Sequence, residues 1–362
     1  MLSRNSRRRL VVALSALILA APCSVAFPQE KPQAKDVPCS SSTVFVSALD
    51  ANGKFVSGLT AESFHVRLHG HPVKVLSEGT NSSPRRIVLV LDTSASMLAS
   101  DPAIWKPTLV IAKTLVEGLP PQDSIAFVSF ASRVEQQIDF TRDRTPILQQ
   151  LDELQGGKRA FSKKMRATAL WNSVLESLRL FDSPQIGDSI YVISDGDDDL
   201  SRAGPSDVEN ALLAARVRLF ALFPPGVPRP PMSGYLDRAG PLQAAMDLEE
   251  PEDMTVSAPS PQRTQGESDL GEIAKMTGGA LLASYQPSLD KDTRPLTPAQ
   301  LGAALDRLRS ATDQLYQLEV ELPQPPDKHP DLRIEVADQR QKIKDPLVLL
   351  YPRKIRPCGA SH

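Results

Sequence analysis

Five consecutive apolar residues, Ile87-Val88-Leu89-Val90-Leu91, run straight into Asp92-Thr93-Ser94-Ala95-Ser96. An unbroken apolar run of this length marks a strand buried on both faces of a parallel sheet, where no alternate position meets water. The text after it repeats the theme. Helical spacing runs from Trp105 to Leu119, and a second buried strand from Ile125 to Phe130. Helical periods cover Thr145–Leu154 and Ala169–Phe181. A strand over Ser189–Ser194, a helix over Val208–Ala215 and a strand over Val217–Leu222 follow. Strands and helices alternating at this interval predict a doubly wound, mostly parallel α/β sheet. The pattern returns with a helix over Asp269–Met276, ended by Gly278-Gly279, a short strand over Ala280–Ala283 and a last helix over Pro298–Asp313.

The flanks read differently. Thr43–Ala48, Phe64–Leu68 and Val73–Leu76 are short strand-like pieces, separated by turn text at Asp50-Ala51-Asn52-Gly53 and His69-Gly70-His71. After the last helix, Tyr316–Leu322, Leu332–Val336 and Pro346–Tyr351 alternate again. The economical architecture is a small β-sandwich built from both chain ends, its halves at residues 41–82 and 316–352, with the α/β domain of residues 85–315 inserted between them. Within that domain residues 223–268 are dense in Pro, Ser and charge and lack period. A structureless stretch this long inside a domain predicts a disordered insert. Residues 353–362 form a tail.

The amino terminus points to export. Arg4, Arg7, Arg8 and Arg9 precede an apolar run over Leu10–Ala21, and Ser24-Val25-Ala26 places small residues where a signal peptidase reads. Residues 1–26 are therefore expected to be a secretory signal peptide, followed by a flexible leader over 27–40. Removing residues 1–26 takes away four Arg and no acid. It leaves 37 basic against 43 acidic side chains, a balance unlike that of a nucleic-acid binder. Cys23 leaves with the signal. Cys39 and Cys358 remain, near opposite ends, and an oxidising compartment would allow them to bridge.

The chemistry gathers at strand ends. In doubly wound sheets ligand sites lie at the carboxyl ends of the strands. Asp92, Ser94 and Ser96 alternate after the strand Ile87–Leu91, so an extended loop would aim all three at one point. Asp195-Gly196 follows the strand Ser189–Ser194, and Thr168 precedes the helix from Ala169. Carboxylates and hydroxyls are hard oxygen donors and suit Mg²⁺ or Mn²⁺, and the motif text holds no His or Cys for zinc. The bland alternative is that these oxygens only cap loops and helix starts.

Asp92-Thr93-Ser94-Ala95-Ser96, then Thr168, then Asp195-Gly196 resembles the metal-ion-dependent adhesion site of von Willebrand factor type A domains. The flanking Leu119–Phe130, Asp139-Phe140-Thr141 and Ile273–Gly279 are similar to text of these domains too, so the resemblance spans residues 85–315 apart from the insert. Asp50–Phe64 resembles the leader of bacterial exported VWFA-related proteins. The resemblance implies that Ser94, Ser96 and Thr168 touch the metal directly and that Asp92 and Asp195 act mostly through water. It also implies one open coordination position that takes a Glu or Asp carboxylate from a partner protein. The chain departs from the family at Arg166-Ala167, where Gly-Gly often precedes the threonine.

The expected function is thus an exported, non-enzymatic, metal-dependent protein-binding module, with no nucleic acid partner and no membrane span once the signal is removed. Two rivals stand beside it. One is a hydrolase in which Asp92 and Asp195 hold a metal that activates water. The other is a structural envelope protein with a vestigial site. No phosphate loop, nucleophile elbow or HExxH stands in the sequence. Asp197, Asp198 and Asp199 read as a solvated loop, His65, His69 and His71 as a hairpin with exposed imidazoles, and Trp105 and Trp171 as core.

Overall fold

A computed structural model describes residues 40–99, 102–156, 167–224, 265–283, 285–286, 294–295, 297–323, 331–337 and 347–355. The expected signal peptide, almost all of the leader, Arg166, Cys39, Cys358 and most of the insert lie outside the described residues.

The first strands are β1 (Ser41–Leu49), β2 (Phe64–Leu68), β3 (His71–Val73) and β4 (Val75–Asn81). Of these, β1, β2 and β4 pair with strands from the other end of the chain, β13 (Leu315–Glu321), β14 (Leu332–Val336) and β15 (Val348–Leu350), and β3 pairs with β2. One antiparallel sheet has the order β15-β1-β13-β4 and the other β14-β2-β3. In β2 the alternation Phe64, Val66, Leu68 inward and His65, Arg67 outward is that of a half-buried strand. These residues share a core with Val44, Val46, Tyr316, Leu318 and Ile334. Two sheets closing on one core, each made from both ends, form the small sandwich. His69 takes a left-handed turn conformation (φ 48°) between β2 and β3. The imidazoles of His65, His69 and His71 are exposed.

Between the two halves lies a six-stranded sheet of order β10-β9-β8-β5-β6-β7. Its members are β5 (Arg86–Asp92), β6 (Ser124–Phe130), β7 (Val134–Thr141), β8 (Ser189–Ile193), β9 (Arg218–Phe223) and β10 (Leu281–Ala283). All neighbours are parallel except β7, which runs antiparallel to β6 at the edge. Hydrophobic periodicity gives no sign of that strand. Its burial is partial along most of its length, as expected of an edge strand, so it carries no clean apolar signal. A two-residue ribbon, β11 (Tyr285–Gln286) with β12 (Arg294–Pro295), completes the strands.

The helices are α1 (Ala95–Ala99), α2 (Pro102–Gly118), α3 (Thr145–Gly156), α4 (Leu170–Leu178), α5 (Pro205–Ala215), α6 (Gln265–Thr277) and α7 (Pro298–Asp313). Leu89 and Leu91 of β5 pack on one side with Leu109, Leu115, Leu151 and Leu308, from α2, α3 and α7. Val88 and Val90 pack on the other with Leu170, Leu212 and Ile273, from α4, α5 and α6. Helices on both faces explain why β5 shows no polar alternation. Because β9 reaches Phe223 and α6 starts at Gln265, the bounds of the insert move inward from 223 and 268. Gly279 lets the chain after α6 pass so close to Leu219 that a Cβ would overlap its carbonyl.

The chain enters this domain through Asn81–Arg85 and leaves it through Thr312–Asp313, and one buried side chain ties the crossings together. Arg85 is 2% exposed. Its Nε donates to the Thr312 carbonyl (2.9 Å), Nη1 to Asn81 Oδ1 (3.1 Å), and Nη2 to the Asn81 (2.6 Å) and Asp313 (3.1 Å) carbonyls. Its backbone N–H donates to Asp123 Oδ1 (2.8 Å). Gly187 stands against the guanidinium with φ 92°, and a Cβ there would overlap Nη1. Arg85→Met would leave one buried and two part-buried carbonyls without their donor. It is expected to destabilise the fold by about 3–5 kcal/mol, read from urea unfolding.

Burial, reinforced by Asp123, pushes the Asp313 carboxyl from 3.8 up to about 6, against the opposing pull of Arg309 and Arg85. A carboxyl whose pKa is higher in the folded chain binds its proton more tightly there, so stability falls as pH rises from about 4 to about 6 and stays lower above. Asp313→Asn is expected to melt higher than wild type at pH 7.5, with the difference vanishing near pH 4. A difference that grew on acidification would contradict this assignment.

Candidate metal centre

The carboxyl ends of β5, β6 and β8 lie side by side, and the register decides what meets there. Leu91 pairs with Ile193 and Asp92 with Phe130, so the residues just beyond each strand converge. Asp92 is fully buried, as are Thr93 and Ser94. The Asp92 carboxylate is held at both oxygens: Oδ1 accepts from the Ser94 backbone N–H (2.8 Å) and Oδ2 from Ser194 Oγ (2.7 Å). Ser94 Oγ and Ser96 Oγ lie 2.9 Å apart. The loop is not extended, as the alternation of Asp92, Ser94 and Ser96 suggested. Residues 95–99 form the helical turn α1, and that turn brings the two hydroxyls together.

Thr168 and Asp195 are also buried, at 2% and 6% exposure. Their loops are stitched by backbone bonds. The Thr168 carbonyl accepts from the N–H groups of Asp199 and Leu200 (2.9 Å each), and the Ala169 N–H donates to the Ala131 carbonyl beyond β6 (2.8 Å). Thr93 ties the first loop to the same strand end, its N–H (2.7 Å) and Oγ1 (2.8 Å) both donating to the Phe130 carbonyl. Gly196 follows Asp195 with φ 87°, a conformation that favours glycine, and its N–H donates to Ser194 Oγ (3.0 Å). Ser194 therefore links the two acidic loops. Sequence patterns do not reveal it, because its role depends on strand register. The one cue is its place next to Asp195 at a strand's carboxyl end.

Burial, and then the charge of Asp195, push the Asp92 carboxyl up to about 7, against the hydrogen bonds from Ser194 and Ser94. Two buried carboxylates close enough to repel, with no ion-pair partner among the described residues, make a pocket of negative potential. With three hydroxyls in the loops around them, this donor chemistry fits a hard divalent cation. No group of three or more His, Cys, Asp or Glu that could hold a metal ion is found among the described residues. Asp197 and Asp199 are exposed, as expected for a solvated loop. Asp198 instead braces the loop against α4, since its Oδ1 accepts from Ser201 Oγ (2.6 Å) and from the Trp171 N–H at the start of that helix (3.4 Å). Trp171 is core and Trp105 packs at its margin.

Comparison with known families bears on the same strands. Residues 87–197 match the family model of the von Willebrand factor type A domain, a span that contains all five candidate residues. The chain carries a von Willebrand factor type A domain. Among solved structures, it is similar to an aerotolerance-related membrane protein from Bacteroides fragilis (18% identity, 63% of this chain and 98% of that chain, TM-score 0.42). It is also similar to a von Willebrand factor type A protein from Catenulispora acidiphila (12% identity, 89% and 74%, TM-score 0.39). A third is the vWF domain of the type V pili tip protein Mfa5 from Porphyromonas gingivalis (24% identity, 33% and 40%, TM-score 0.25). No curated protein sequence matches. Among the described residues no helix is long and apolar enough to cross a membrane.

Asp92→Ala is expected to abolish Mn²⁺ binding in calorimetry. Asp92→Asn, which removes one of two repelling charges, is expected to melt at or above wild type in EDTA. Metal affinity unchanged in Asp92→Ala would remove Asp92 from the site.

Proposed function

We propose that this chain is an exported module that binds a partner protein through a divalent cation, Mg²⁺ or Mn²⁺. The observation that carries the reading is the buried Asp92–Asp195 pair, without an ion-pair partner among the described residues, beside the Ser94 and Ser96 hydroxyls 2.9 Å apart. The von Willebrand factor type A match supports a role in protein–protein interaction. Ser94, Ser96 and Thr168 are the direct ligands in this reading, and Asp92 and Asp195 hold the ion through water. A bound cation supplies a point of positive charge for an incoming Glu or Asp carboxylate.

The chain's own residues do the preparation. Ser194 fixes Asp92, Thr93 fixes the loop to β6, and the Thr168 carbonyl ties the second loop to the third. Such preorganisation reduces the ordering lost on binding. Few direct carboxylates leave the ion's charge incompletely neutralised, which favours an anionic partner group. Export rests on the amino-terminal signal text.

A pull-down from cell-envelope extract, with Mg²⁺ and with EDTA, tests the proposal. A partner should be captured in Mg²⁺, lost in EDTA and lost with Asp92→Ala. Capture that is equal under all three conditions would sink the metal-dependent reading.

A further inference from the structure

Among the described residues three large apolar side chains are exposed: Leu76 on the edge strand β4, Val110 on α2, and Leu200. Only Leu200, 49% exposed, belongs to the loops of the candidate metal centre, since it follows Asp195 at the end of β8. The chain holds it in place there. Its backbone N–H and that of Asp199 both donate to the Thr168 carbonyl (2.9 Å each). On its other side Ser201 Oγ accepts from the Asn172 N–H (3.0 Å) and donates to Asp198 Oδ1 (2.6 Å), which ties the loop to α4. The backbone of Leu200 is thus one hydrogen bond away from a candidate metal ligand, while its side chain meets solvent.

A single exposed leucine on an ordinary surface needs no explanation. Beside a bound ion it changes what the ion can hold. A carboxylate reaching a cation gains most when water is kept from the contact, because Coulomb attraction strengthens as the local dielectric falls. An apolar rim that closes on the partner excludes that water. Asp197 and Asp199, exposed on the same loop, act in the opposite sense. They add negative charge beside the site and repel a segment that carries several acids. The loop therefore discriminates twice, by attraction for an apolar neighbour and by repulsion of further carboxylates.

We propose that the partner presents a single Glu or Asp flanked by an apolar side chain, which packs on Leu200, and that Asp197 and Asp199 turn away acid-rich segments. The proposal rests on the reading of Asp92, Ser94, Ser96, Thr168 and Asp195 as a metal centre, and adds to it the chemistry of the partner. Leu200 is a specificity-determining residue in this scheme: its side chain touches the partner and not the ion. The pinned backbone presents that side chain in one place, so little ordering is lost when a partner covers it.

Immobilised short peptides test this, with the purified chain passed over them in Mn²⁺ or in EDTA and affinity read by surface plasmon resonance. One peptide carries a glutamate between leucines, one a glutamate between glycines, and one a run of glutamates. In Mn²⁺ the leucine-flanked peptide is expected to bind about tenfold more tightly than the glycine-flanked one, the order expected for burying most of a leucine side chain. The acid-rich peptide should bind more weakly than either, and Asp199→Asn should raise its affinity. Leu200→Ser should erase the preference for leucine, and Leu200→Met should keep it. Equal binding of the leucine- and glycine-flanked peptides by the wild-type chain, or a preference that survives in Leu200→Ser, overturns the proposal and leaves the metal centre standing. Glutamate peptides that bind no better in Mn²⁺ than in EDTA overturn the metal centre, and the proposal with it.

Discussion

Arg85 sits where the chain passes from the sandwich into the α/β domain, and its side chain reaches the point where the chain passes back. A sandwich assembled from two ends needs those ends held in register across more than two hundred intervening residues, an arrangement with a large loop-closure entropy. A buried guanidinium offers several donors in a rigid plane, and here they are shared between the Asn81 side and the Thr312–Asp313 side. Breaking either side strands polar groups in the interior, so the crossings hold or fail together. The same residue demands a glycine at 187 and shares its surroundings with the raised carboxyls of Asp123 and Asp313.

The two ends of the central sheet carry opposite electrostatics. At the carboxyl ends, the buried Asp92 and Asp195 repel each other beside the serines of their loops. At the amino ends, Arg85 and Arg218 repel each other, and among the described residues carboxylates lie near Arg85 but not near Arg218. Each arrangement destabilises the chain as it stands.

The α/β domain was legible because a doubly covered parallel strand has a distinctive composition, and Ile87–Leu91 shows it without ambiguity. The edge strand β7 was not, since its half-buried residues carry no period. Asp92, Ser94, Ser96, Thr168 and Asp195 stood out because each follows a strand or precedes a helix. The conformation between Ser94 and Ser96 did not stand out, because alternation suits an extended loop as well as the turn of α1.

Sequence alone determined the alternation of buried strands and helices, the β character of both flanks and the oxygen chemistry of the loop residues. These follow from local composition and period, which neighbours along the chain carry. Only the tertiary structure decided that Ser194 would hold Asp92, that Arg85 would join the two crossings and that Arg218 would be buried with no counter-charge among the described residues. Each of these depends on the register of strands far apart in sequence. Coulomb energy and desolvation act through space, so the charge state of a side chain is set by neighbours that the linear order does not name.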